Sequence, residues 1–134
     1  MLTEYLDVEE FVNEVQEPGE IYDLEERTFQ FAERIRRFVG KLPKNICNLE
    51  DIPQLVRASG SVGANYIEAN EALSKKDFFY RIKVCRKESK ESRYFLRLIE
   101  TNANAESDAE RRWLMGEATE LIKIFSAILK HASA

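Results

Sequence analysis

From Leu24 onward, one face of the chain repeats at alternating spacings of four and three: Leu24, Thr28, Phe31, Ile35, Phe38 and Leu42. Phe29, Ala32 and Val39 widen the stripe. That period belongs to an amphipathic helix, about six turns long, which Pro43 stops. A second stripe follows at Ile52, Leu55, Ser59, Val62, Tyr66, Ala69 and Leu73, flanked by Val56, Gly63 and Ile67. Asp51 is placed to cap it, with Pro53 in the first turn, and the helix is expected to run on to Leu73. The third stripe is Phe78, Ile82, Cys85, Ser89, Ser92, Leu96 and Ile99, opened by a capping box from Ser74 to Asp77. "ETNANAES" interrupts the period, and Ser107 to Glu110 reads as another capping box. The fourth stripe is Leu114, Ala118, Leu121, Phe125 and Ile128, widened by Ile122 and Leu129.

No segment alternates with a period of two, so the fold class is all-α. Four helices of similar length with short links predict an antiparallel up-down-up-down four-helix bundle over residues 20–134. Residues 1–19 form an acidic N-terminal extension, in which Tyr5, Val8, Phe11, Val12 and Val15 outline one weak amphipathic helix ended by Pro18-Gly19.

The second stripe is unusual for a core. Ser59, Gly60, Ser61, Gly63, Asn65 and Glu68 crowd it where leucine or isoleucine would stabilise more. Small residues there let a neighbouring helix approach closely, and buried polar groups need partners. Ser59, Gly60, Gly63, Asn65, Glu68 and Glu91 are therefore candidates for helix packing or subunit contact. Asn65 or Glu68 is expected to bond a group on the third helix, with Glu91 or Ser92 foremost.

Charge refines the picture. The net charge is −4, but residues 1–20 hold seven acids (Glu4, Asp7, Glu9, Glu10, Glu14, Glu17 and Glu20) and no base. The rest of the chain is mildly basic, at +3 from 20 bases and 17 acids. Residues 75–97 alone carry nine bases and three acids, a net of +6. Such a face is either solvated and paired within the helix, Glu91 with Lys87 for example, or it tracks phosphates. On the second view Arg34, Arg37, Lys41, Lys83, Arg86, Lys87 and Lys90 are candidate nucleic-acid contacts, and Tyr80 and Tyr94 can stack on bases.

Chemistry of other kinds finds no footing. Cys47 and Cys85 sit among apolar neighbours, which predicts reduced, buried thiols in the cytoplasm. The only histidine is His131. Glu68-x-x-Glu71 and Glu88-x-x-Glu91 lack the histidines of a di-metal bundle. No phosphate-binding loop, zinc pattern or dinucleotide fingerprint occurs. No catalytic residue, metal, cofactor, small-molecule substrate or membrane partner is expected. The acidic start lacks the basic and apolar regions of a signal peptide.

"QLVRASGSVGANYIEANEAL", with "FVGKLPKN" before it and "DFFYRIKVCRKESKESRYFLRLIE" after it, resembles the four-helix-bundle family named for the intervening-sequence protein of 23S ribosomal RNA, also called the S23 ribosomal protein family. Gln54, Arg57, Ser61, Val62, Ala64, Asn65 and Glu68 fill places in its second-helix pattern. Leu42-Pro43, Phe78 and Glu91 resemble its end of the first helix, start of the third and a glutamate within the third. Gly63 and Ala69 depart from it, standing where proline and glycine are usual. The resemblance spans about residues 20 to 130. It implies a small cytoplasmic bundle that assembles as a ring, with a homo-pentamer the expected state. It also implies kinship with an accessory subunit of a retroelement reverse transcriptase that has a basic surface. Charge and resemblance together lead to a non-enzymatic oligomer presenting a basic surface to RNA or a nucleoprotein partner. The alternative is a homo-oligomeric interaction scaffold without nucleic-acid binding.

Overall fold

A computed structural model describes residues 23–133. They form four helices: α1 Leu24–Val39, α2 Ile46–Asn70, α3 Lys75–Leu98 and α4 Ala105–Leu129, followed by one 3-10 turn, Lys130–Ser133. The acidic extension 1–19 lies outside the described residues. Consecutive helices run antiparallel. α2 packs on α1 and α3, α4 packs on α3 and α1, and α1 and α3 sit diagonally across the bundle. The expected four-helix architecture is what forms, with no strand among the described residues.

The inner stripes close on one another. Leu24, Phe31, Ile35 and Phe38 of α1 meet Leu55, Val62, Tyr66 and Ala69 of α2, Phe78, Ile82, Cys85 and Leu96 of α3, and Leu114, Leu121, Phe125 and Ile128 of α4 in one buried cluster. Burying each large side chain contributes about 1.5–3 kcal/mol, which offsets the ordering of the chain. Tyr66 and Phe125 approach ring to ring at 6.4 Å, and burial pushes the Tyr66 phenol up to about 12.

Helix boundaries depart from the sequence reading in four places. α2 begins at Ile46, not at Asp51: Asn45 is the cap, its side chain accepting from the Asn48 N–H at 2.8 Å. Asn48 explains the earlier start. Fully buried, it donates to the carbonyls of Pro43 and Glu100 and accepts from the Glu100 N–H, which ties the α1–α2 link to the α3–α4 link. Pro53 then lies inside the helix, and the Leu49 carbonyl that loses its donor belongs to an exposed residue. α2 stops at Asn70, so Ala72 is buried and Leu73 is 68% exposed.

α4 is capped by Asn104, which accepts from the Ser107 N–H at 2.9 Å. Ser107 therefore sits in the first turn rather than at the cap, and Glu110 is free to leave the helix end. α1 ends at Val39 with Gly40 as its cap, one turn before Pro43, although Leu42 stays buried. The Ser74 cap holds as expected, accepting from the Asp77 N–H at 3.1 Å. Cys85 is buried, but Cys47, on the exposed first turn of α2, is exposed rather than buried.

Candidate nucleic-acid interface

The polar residues of the inner stripes are satisfied within their own helices. Thr28 Oγ1 donates to the Leu24 carbonyl at 2.8 Å, Ser89 to Cys85 at 2.8 Å, Ser92 to Glu88 at 2.8 Å and Ser59 to Val56 at 3.2 Å. A helical hydroxyl can bond back to a carbonyl one turn earlier, so it costs little to bury. The small side chains then allow close approach. Cys85 Sγ reaches the Val62 carbonyl across the α2–α3 contact at 3.4 Å. A Cβ on Gly63 would stand 2.8 Å from Thr28 Oγ1, so Gly63 is where α1 lies against α2. Gly60 is beneath the Arg36 guanidinium, 3.2 Å from where its Cβ would be.

Asn65 does bond to the third helix, but through Arg81, whose Nη1 donates to Asn65 Oδ1 at 3.1 Å, and not through Glu91 or Ser92. Its amide nitrogen returns to the Ser61 carbonyl. Glu68 is exposed. Glu91 pairs with Arg57 across the α2–α3 seam at 2.7 Å rather than with Lys87 on its own helix. Arg57 also reaches Glu88, a nearly buried carboxylate, at 3.2 Å. Glu91 is thus turned toward Arg57, and Glu88 lies between Arg57 and Lys87, 3.9 Å from the Lys87 amine. Among the described residues no group of acids, cysteines and histidines is placed to hold a metal ion.

The basic residues divide by role. Arg27 and Arg34 of α1 make two-pronged pairs with Glu117 and Glu110 of α4. Each of these pairs holds its arginine charged, the side-chain hydrogen bond being the main cause. Arg37 pairs with Glu33 on its own helix, and Lys41 lies 3.8 Å from Glu106. On α3, Arg81 is turned to α2, while Arg86 and Arg93 cross to Ser126 and Thr119 of α4. These two are seven residues apart, as their partners are, in antiparallel register.

What remains on α3 is a stripe on the side opposite the core: Lys76, Tyr80, Lys83, Lys87, Lys90, Tyr94 and Arg97. All seven are exposed, with Tyr80 and Tyr94 more than half so. The spacing is again four and three, offset by half a turn from the inner stripe. It runs about 31 Å along the helix and contains no acid, although Lys87 lies 3.9 Å from the Glu88 carboxylate beside it. Lys83, Lys87 and Lys90 of the sequence-based candidates fall on it. Arg86 lies on its flank, toward α4. Arg34, Arg37 and Lys41 lie across the bundle at the α1–α4 seam, each beside a carboxylate, so the seven candidates do not form one surface. Lys76 and Arg97 complete the stripe and were not among the candidates; applying the three-four spacing to the polar positions of the third helix finds them.

A second surface is the trough between α1 and α2, about 690 Å³, floored by Ala32, Gly60, Gly63 and Ala64 and walled by the exposed Phe29 and Ile67. Asp23, Glu25, Glu26 and Glu33 rim it, with Arg36 the one base. No helix among the described residues is long and apolar enough to cross a membrane.

Comparison with known proteins agrees with the four-helix fold. A crystal structure of a protein of unknown function from the S23 ribosomal protein family of Bacteroides thetaiotaomicron VPI-5482 shares the fold with a TM-score of 0.68. It is 25% identical, and the alignment covers 79% of this chain and 97% of that one. No curated protein matches the chain. The family described as 23S rRNA-intervening sequence protein matches residues 20–127, which span all of α1, α2 and α3 and nearly all of α4. By that match over most of its length, the chain belongs to the 23S rRNA-intervening sequence protein family.

Proposed function

We propose that this chain is a non-enzymatic, cytoplasmic helical bundle that assembles with copies of itself and offers the outer face of α3 to RNA or to a nucleoprotein partner. The observation that carries the reading is the acid-free stripe from Lys76 to Arg97. Phosphate binding requires positive charge more than any fixed motif, and each lysine that neutralises a phosphate releases counterions. Tyr80 and Tyr94, about 21 Å apart along the helix, are stacking platforms for unpaired bases. Binding of this kind is sequence-tolerant and weak per subunit, and assembly multiplies it. The assembly reading, with a homo-pentamer as the expected state, rests on the exposed apolar trough between α1 and α2 and on the family likeness.

The test is a titration of fluorescently labelled single-stranded RNA at 50 mM and 200 mM salt, those being chosen conditions at roughly the range where counterion release is read. If about four phosphates are engaged, affinity falls about 50-fold between them. Binding that ignores salt, or no binding at the lower salt, overturns the reading. A scaffold without nucleic-acid binding is the second reading, and one observation favours it. Several basic side chains, Arg27, Arg34, Arg57 and Arg81 among them, are spent on contacts between helices.

A further inference from the structure

The seven acids of residues 1–20 and the acid-free basic stripe of α3 are complementary features of one chain. We infer that the acidic N-terminal segment docks along the α3 stripe of its own chain, covering the face that nucleic acid would use. The inference rests on the reading of that face as a phosphate-binding surface.

Four observations carry it. The first is charge. Asp7, Glu10, Glu14 and Glu17 recur at spacings of three, four and three, the spacing at which Lys83, Lys87 and Lys90 stand on α3. Residues 1–20 contain no base, so nothing in the segment repels the stripe.

The second is position. The segment joins the bundle at Asp23, the cap of α1. α2 returns to that end, and the short link after Asn70 delivers α3 there, so Lys76 starts the stripe at the end where the segment is attached. The third is reach. Twenty-two residues extend to about 70 Å. Crossing a bundle two helices wide takes about 25 Å, and the stripe itself is about 31 Å long.

The fourth is the exclusion of the nearer seat. The trough between α1 and α2 opens beside Asp23, but Asp23, Glu25, Glu26 and Glu33 line it and repel a polyanion. The apolar residues Tyr5, Val8, Phe11, Val12 and Val15 have exposed counterparts on the stripe in Tyr80 and Tyr94. The segment also precedes the region matched by the family, which begins at residue 20. Tethering gives such a segment an effective concentration in the millimolar range, enough for a weak contact to be occupied most of the time.

The experiment uses the full chain. A zero-length carbodiimide joins carboxylates to amines in direct contact, and an equal mixture of 14N- and 15N-labelled protein separates links within a chain from links between chains. Expected are links from Lys83, Lys87 or Lys90 to Glu9, Glu10, Glu14 or Glu17 in isotopically uniform peptides, lost at roughly 1 M salt, where the screening length is about 3 Å. With the two labelled pools unfolded and refolded together, absence of such links, or links divided equally between uniform and mixed-isotope peptides as contacts between chains give, overturns the docking.

A second arm measures single-stranded RNA binding by a full-length variant with all seven acids changed to Gln. A segment that occupies the stripe about nine-tenths of the time weakens binding about tenfold, so this variant binds about tenfold tighter. Equal affinity overturns the covering role. If neither protein binds RNA, the nucleic-acid reading falls, and the crosslinks still decide whether the segment docks.

Discussion

Arg34 and Glu110 face one another across the α1–α4 seam in a two-pronged pair, Nε to Oε2 at 2.8 Å and Nη2 to Oε1 at 2.7 Å. The Arg34 guanidinium also lies over the Trp113 ring at 3.5 Å. Seven residues before Arg34 and seven after Glu110, Arg27 and Glu117 repeat the pair. The two pairs fix the antiparallel register of α1 against α4. They also explain why a base that looked available for phosphate is committed to the fold.

The Arg34 hydrogen bond holds the Glu110 carboxyl below its ordinary range, against the opposing effect of burial. A carboxyl depressed in the folded state contributes stability above its unfolded pKa, about 4.3. That contribution is lost as pH falls through the lower, folded value. Glu110→Gln should therefore cost at most about 1 kcal/mol at pH 7, since the pair is part-exposed. Its urea midpoint should also fall less steeply than the parent's as pH drops below the unfolded carboxyl range. Parallel curves for the two proteins would contradict this.

Three helix glycines should respond differently to alanine. At Gly63 the new Cβ meets buried Thr28, whose hydroxyl is already bonded to two carbonyls and cannot yield cheaply. Gly63→Ala should cost about 1–3 kcal/mol. At Gly60 the neighbour is the far end of Arg36, which can swing away, so the cost should be small. Gly116 has nothing within 4 Å, and Gly116→Ala should stabilise α4 by about 0.5–1 kcal/mol. Thermal unfolding of the three variants checks the ranking.

The two thiols should separate on reaction with a disulfide reagent near neutral pH. Cys47 is exposed and should react at once. Cys85 is buried and pushed up to about 12, chiefly by burial, so it should react only when the protein unfolds. Two fast thiols in the native protein would contradict the packing of α2 on α3.

Much of this was legible in the sequence. The whole inner stripe of α3, from Phe78 to Ile99, is buried as its spacing indicates, because helix burial follows the period of the backbone. Helix ends were less legible because cap signals are short and redundant. Asp51 and Ser107 have the right chemistry, but Asn45 and Asn104 come first and are the caps. Extending the second stripe to Leu73 assumed a helix beyond the Asn70 at which it ends. The partners of Arg34, Arg57 and Arg81 depend on the register between helices, which no single-helix pattern encodes. The α3 outer stripe was readable, but only by giving polar residues the periodic test applied to apolar ones.

On the proposed function, phosphate binding belongs to the outer face of α3 and not to basic charge in general. Two full-length triple variants separate these: Lys83→Gln/Lys87→Gln/Lys90→Gln on the stripe, and Arg36→Gln/Arg37→Gln/Lys41→Gln on and just after α1, diagonally across the bundle from α3, each removing the same charge. Their affinities for single-stranded RNA are measured by anisotropy across a salt series. The stripe variant should lose about two units of the log–log salt slope, at about 0.7 per phosphate, while the other variant stays near the parent. Equal losses in the two variants, or an unchanged slope in the stripe variant, would contradict it.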